Sequence, residues 1–440
     1  MLRAAAAVVT ALATGCAPSA AELRDPVDAD IARRLGGDPH AGAASQAAID
    51  QLLARPLDAD AATRIALANS ARLAAAFDEL GIAGGELAAA AGLGPLELDV
   101  KLRFGGGGEH ELEAIQPVLG LVEMPRRRAA AHADLAAARA TAAAAAIRLA
   151  ARVDVAFRDL LAAQQEVELR ETAFTAADVA ATLRERMRAA GNTTELAQAR
   201  DRDAREQARL DVARAEADLA VRRERLSALL GLSGARTTWT VAGQVEELPA
   251  AAPALDDLEE TAIAASLELA AGRARVDAAG ATLSDERLRS VLPELGVGAS
   301  VVDRAGTLEI GPAVRIGLPI FDGRSGPRAQ AHARLAGAEH ALAADAIDLR
   351  ARARAAKIAA LAAYAEARRL HDVVLPLRQQ IVDETLAHYN AMDADPFQLV
   401  VARRELVDAG HQYLDALRRY GDAMAESRAL RRGVALEEAP

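Results

Sequence analysis

One cysteine, Cys16, stands in 440 residues, so no disulfide can form within the chain and packing alone must hold it together. Aromatic residues make up only 2% of the sequence, which argues against an aromatic-lined catalytic pocket. Beyond the first residues there is no apolar run approaching the roughly 20 residues that a membrane-crossing helix needs, so any membrane span has to be built from strands. Positive charge is also short. The net charge of -11 disfavours nucleic acid as a partner. What the chain has in quantity is alanine together with Arg, Glu and Asp, the mixture of long helices.

The opening MLRAAAAVVTALATGCAPSA reads as an export signal with a basic residue at Arg3, an apolar stretch from Ala4 to Ala13 and then Thr14-Gly15-Cys16. Cys16 is placed as the lipid-accepting first residue of a mature lipoprotein, with the signal peptide at 1–15. Ala13 stands where a lipobox has leucine. Ala17, instead of an aspartate, favours the outer over the inner membrane.

The chain repeats itself. Ala131 to Ala140 read AHADLAAARA and Ala331 to His340 read AHARLAGAEH, and further landmarks such as Gly84 with Gly280 match at an offset of about 200 residues. The expected organisation is an N-terminal segment at 16–59, a first repeat at 60–231, a linker at 232–257, a second repeat at 258–432 and a tail at 433–440. Each repeat is expected to hold a helix, a β-hairpin, a long helix and a return helix.

In the first repeat, Leu96, Leu98, Val100, Leu102 and Phe104 alternate with charged residues before Gly105 to Gly108, the period of a strand with one apolar face. That hairpin is expected over 96–121 and its counterpart over 294–321. Strands of about ten residues are long enough to cross a bilayer when tilted. The long helix is expected over 125–190, opened by Pro125, with Val153, Leu160, Val167 and Phe174 forming a narrow heptad seam. At about 1.5 Å per residue, such a helix is roughly 100 Å long. Gly191 ends it, Thr193 or Thr194 caps a return helix over 193–230, and the second repeat has matching helices over 327–390 and 397–432. Trp239 and Val241 suggest a short strand in the linker.

Four strands cannot close a barrel, and an open edge in hydrocarbon costs several kcal/mol for each unpaired backbone group. Self-association is therefore required if the hairpins enter lipid, and two, three or four copies satisfy the geometry.

The duplicated helix-hairpin-helix unit, the strand-to-helix turn Gly317-Leu318-Pro319-Ile320-Phe321-Asp322-Gly323 and the tip Gly191-Asn192-Thr193-Thr194-Glu195-Leu196-Ala197-Gln198-Ala199 together resemble the TolC-like outer membrane factors, especially the lipoprotein efflux branch. The resemblance implies an α+β membrane protein: a homotrimer whose twelve-stranded β-barrel, four strands per chain, is continued by a long α-helical barrel across the periplasm. It further implies contact with outer membrane lipid, docking onto a periplasmic adaptor and an inner-membrane pump, and passive export of the pump's cargo. Type I protein secretion fits the same plan. A periplasmic coiled-coil scaffold or adaptor that never inserts is the alternative from another class. The chain departs from the family pattern at Val122-Glu123-Met124-Pro125, which replaces the second repeat's strand-to-helix turn.

In such proteins the tunnel narrows at the helix tips, which fall here at Arg188 to Arg200 and His388 to Arg404. Asp393, Asp395, Glu195, Arg200 and Arg403 are the charged gate candidates, and Phe397 and Leu399 the apolar ones. The eight histidines lack close metal-ligand spacing, no Lys-Ser or Lys-Thr follows Gly105 to Gly108, and no nucleophile-base arrangement is legible. No cofactor and no enzymatic activity are expected.

Overall fold

The computed structural model describes residues 18–37, 45–92, 95–103, 109–292, 294–304, 307–317, 323–393 and 396–436. The export signal with Cys16, the turn residues 104–108, the segment 318–322 and Asp395 lie outside the described residues. Two compact units divide the chain: residues 1–30, 74–144 and 267–348 in the first, and 31–73, 145–266 and 349–440 in the second. Four helices lead in, α1 (Ala20–Leu35), α2 (Gln46–Leu53), α3 (Ala59–Asn69) and α4 (Ala71–Ala90). A hairpin β1 (Glu97–Arg103) and β2 (Glu109–Pro117) follows, then α5 (Leu119–Ala189) and α6 (Glu195–Leu229). The pattern then recurs with α7 (Leu258–Ala265), α8 (Leu267–Arg289), β3 (Glu294–Arg304), β4 (Thr307–Gly317), α9 (Ser325–Arg369), α10 (Leu375–Asn390) and α11 (Pro396–Arg431). No helix among the described residues is long and apolar enough to cross a membrane.

The first unit is organised by a sheet of order β1-β2-β3-β4, antiparallel throughout. Strand β2 ends at Pro117, and α5 starts at Leu119, six residues ahead of the expected Pro125. A proline at the seventh helical position leaves a backbone carbonyl of the first turn without its donor. That carbonyl is Leu121's; the carbonyls on either side of it, Val122 and Gly120, accept from the Arg126 and Arg127 side chains. The irregular Val122-Glu123-Met124-Pro125 junction is thus helical, and the buried Glu123 carboxylate accepts two bonds from Arg289 of α8, at 2.8 and 2.9 Å. That fork-to-carboxylate pair holds the Arg289 pKa above the ordinary arginine value.

The second unit carries the main core. Ile49, Leu57, Ile65, Val153, Phe157, Leu160, Leu226, Leu230 and Trp239 form one cluster contributed by α2, α3, α5, α6 and the linker. The expected linker strand is a single parallel bridge, Leu57 with Val241; the indole of Trp239 is 2% exposed and donates to the Ser227 hydroxyl instead of lying in a sheet. The heptad seam of α5 is covered at Val153 and Leu160, and half-buried further on at Val167 and Phe174. The second long helix is interrupted by a π turn over Leu370–Val374 just before Pro376, which lacks the N–H that a regular helix would aim at Asp372.

Polar ladders cross these helices. Asp422 of α11 faces Asp159 and Arg158 of α5, Arg222 of α6 and Arg418 of its own helix. Burial first and Asp159 second raise its pKa to about 6, against the opposing pull of the three arginines. Between pH ~4 and ~6 the folded chain therefore holds a proton that the unfolded chain releases, so stability falls as pH rises through this window. Asp422→Asn is expected to remove that loss. In guanidinium unfolding the variant should gain up to about 3 kcal/mol at pH 7.5 and nothing at pH 3.5. An unchanged gap between the two pH values would refute the assignment.

Candidate functional sites

Cross-strand register decides what the sheet can do. Val100 faces Leu112, Leu112 faces Val301 and Val301 faces Ile310, which makes one row across all four strands. Neighbouring rows on the same face place Leu98, Ala114, Ala299 and Pro312 side by side, then Val297 beside Val314 and Leu295 beside Ile316. This face is apolar and uncovered: Leu98 is 61%, Val314 64% and Ile310 72% exposed. The opposite face carries Glu97, Asp99, Lys101, Glu111, Glu113, Glu309 and Arg315, with Arg315 paired to Glu97 at 2.6 Å and Lys101 to Glu111 at 3.6 Å. Strands β2 and β3 approach so closely at Gly298 that a Cβ there would overlap the Ala114 carbonyl. Strands β1 and β4 each have one partner within the chain, among the described residues, so both outer edges present unpaired backbone groups.

At the first helical tip, Gly191 adopts φ +76°, a left-handed cap that glycine fills without strain, and the Asn192 N–H closes back on the Met187 carbonyl. Thr194 is the N-cap of α6, accepting from the Ala197 N–H. Thr193 has another task. Its hydroxyl accepts from Arg184, whose Nε also bonds Asp201 at 2.6 Å. This pair is enclosed, with side chains 10% and 17% exposed. The Arg184 guanidinium lies over the ring of Phe397, in the first turn of α11. One cation therefore joins both arms of the first helical hairpin to the second.

Of the gate candidates read from sequence, Phe397 is thus brought to a charged partner. Asp393 meets His388 of its own turn at 3.1 Å, next to Met392, which is almost fully exposed at φ +61°. Glu195, Arg200 and Arg403 are exposed and have no ion pair among the described residues, and Leu399 is half-buried. Arg184 and Asp201 escaped the sequence reading. Their signal is a constant spacing across the turn: Arg184 with Asp201 and Glu185 with Arg202 are each separated by 17 residues.

This arrangement supplies an exposed apolar sheet and a cross-braced tip. Among the described residues, no group of three or more His, Cys, Asp or Glu side chains is placed to hold a metal ion.

Neither a family model nor a curated relative matches the sequence. Solved structures do match its fold. The Campylobacter jejuni CmeC outer membrane channel is 13% identical, with a TM-score of 0.74 over 87% of this chain and 87% of that one. The outer membrane protein VceC of Vibrio cholerae is 16% identical, with a TM-score of 0.66 over 96% of this chain and 100% of that one. The Neisseria gonorrhoeae MtrE outer membrane channel, in its open state, is 18% identical, with a TM-score of 0.65 over 84% and 88%. The chain has the fold of these outer membrane proteins.

Proposed function

We propose that this chain is a TolC-like outer membrane factor, the exit duct of a tripartite export system. The observation that carries this reading is the four-stranded sheet whose aliphatic side chains share one exposed face while both edge strands stay unpaired. Such a face suits hydrocarbon, and such edges require copies of the same sheet on either side. Three copies give a twelve-stranded barrel in the outer membrane, apolar outward and charged inward. The long helices continue it as a tube into the periplasm, where alanine lets many helices approach closely. Cargo arrives from an inner-membrane pump through a periplasmic adaptor and leaves passively.

Native mass spectrometry in mild detergent is expected to give three copies of the chain, and the same preparation is expected to form ion-conducting channels in planar bilayers. A stable monomer with its full strand content would overturn the reading.

Lipidation of Cys16 belongs to the same proposal and rests on the residue's position after a short apolar signal. Cys16→Ser should abolish labelling by a fatty-acid probe. Labelling that persists in the variant would exclude Cys16 as the acceptor.

A further inference from the structure

The second unit contains a cavity of about 430 Å³ whose charged lining is unbalanced. Four guanidiniums, Arg64, Arg158, Arg428 and Arg432, meet two carboxylates, Asp60 and Asp154. Arg64 is paired with Asp60 at 2.6 Å, and Asp154 is shared by Arg158 at 2.8 Å and Arg428 at 3.1 Å. Arg432 has no ion pair among the described residues. Asp154, the carboxylate that acts on it, is already held by two other arginines. Arg158 also faces Asp422, so of the four arginines it is Arg432 that is left without a counter-charge, in a chain whose net charge is -11. Burial and then the neighbouring Arg428 pull the Arg432 pKa below the ordinary arginine value, the mark of a cation gathered without its counter-ion.

We infer that this cavity, framed by α3, α5 and the end of α11, binds a small phosphate monoester through Arg432, Arg428 and Arg64. A phosphate monoester, close to a dianion above its second pKa of about 6, supplies the counter-charge that Arg432 lacks. Its three oxygens suit the planar forks of several arginines, which a single carboxylate would not satisfy. The cavity has room for the alcohol part beyond the phosphate, since ligand pockets begin at about 300 Å³. The inference is independent of whether the chain conducts.

Glycerol 3-phosphate is the probe, titrated calorimetrically into the detergent-solubilised full-length protein at pH 8, with chloride balancing ionic strength and glycerol as the uncharged control. One saturable site per chain is expected. Arg432→Gln should weaken it about tenfold or more, the loss of one charge-assisted interaction. Asp60→Asn should tighten it, because Arg64 is then released from its competing carboxylate, and a merely structural role for the cluster predicts no such gain. Should Arg432→Gln fail to fold, Arg64→Gln and Asp60→Asn decide in opposite directions. No saturable heat with the parent, equal affinity in the arginine variants, or equal binding of glycerol would each overturn the site.

Discussion

Ile310→Arg is expected to eliminate the assembled trimer from the outer membrane fraction. Ile310 lies in the row Val100, Leu112, Val301 and Ile310, near the middle of the hairpins and on the edge strand β4. On a barrel's lipid face, an arginine near the bilayer midplane costs about 2–4 kcal/mol, so three symmetry copies cost about 6–12 kcal/mol per trimer. That is comparable to the whole stability of many domains. Glu309→Gln, one residue away on the charged face, should assemble normally, because the side chain is exposed and stays polar and hydrogen-bonding. Heat-modifiable trimer on gels of membrane fractions distinguishes the two. Normal trimer yield from Ile310→Arg would place the apolar face somewhere other than in lipid.

The hairpins were legible because alternation in Leu98, Val100, Leu112, Ile310 and Val314 has period two and no helix reproduces it. Their pairing into one sheet with a continuous apolar face depends on β2 meeting β3 across more than 170 residues, which local pattern does not encode. A helix boundary failed where proline is carried near the start of a helix instead of opening it. Pro125 reads as a helix start, yet α5 begins at Leu119 and carries the proline in its second turn. Trp239 and Val241 carry strand-forming side chains, but burying the indole against Ser227 outweighed the propensity and left one bridge. At the tips, Phe397 was visible as an apolar residue beside a turn. Its partner Arg184 was not, since that contact depends on the rotation of two helices about their axes. The long charged ladders hide such pairs among many surface ones: exposed pairs such as Arg202 with Glu185 are worth about 0–1 kcal/mol and look identical in sequence to the enclosed Arg184–Asp201 pair.

That enclosure is why Phe397→Ala is expected to raise single-channel conductance. The substitution removes the stacking that ties α11 to Arg184 while leaving Arg184 bonded to Asp201 and Thr193, so no buried charge is orphaned. A partly desolvated guanidinium over a ring contributes about 1–2 kcal/mol, and three copies sum to about 3 kcal/mol or more. On a two-state tip, that shifts the closed-to-open ratio by roughly a hundredfold. Phe397→Trp keeps a face for the cation and should stay near the parental conductance. Arg184→Ala should open the tip as well but at a lower trimer yield, because it strands the Asp201 carboxylate in an enclosed site. Arg202→Ala, which breaks only an exposed pair, should change neither property. Planar-bilayer recordings at matched trimer yield give the answer: if Phe397→Ala conducts like the parent, the closed state is held elsewhere, and the His388–Asp393 turn becomes the next position to vary.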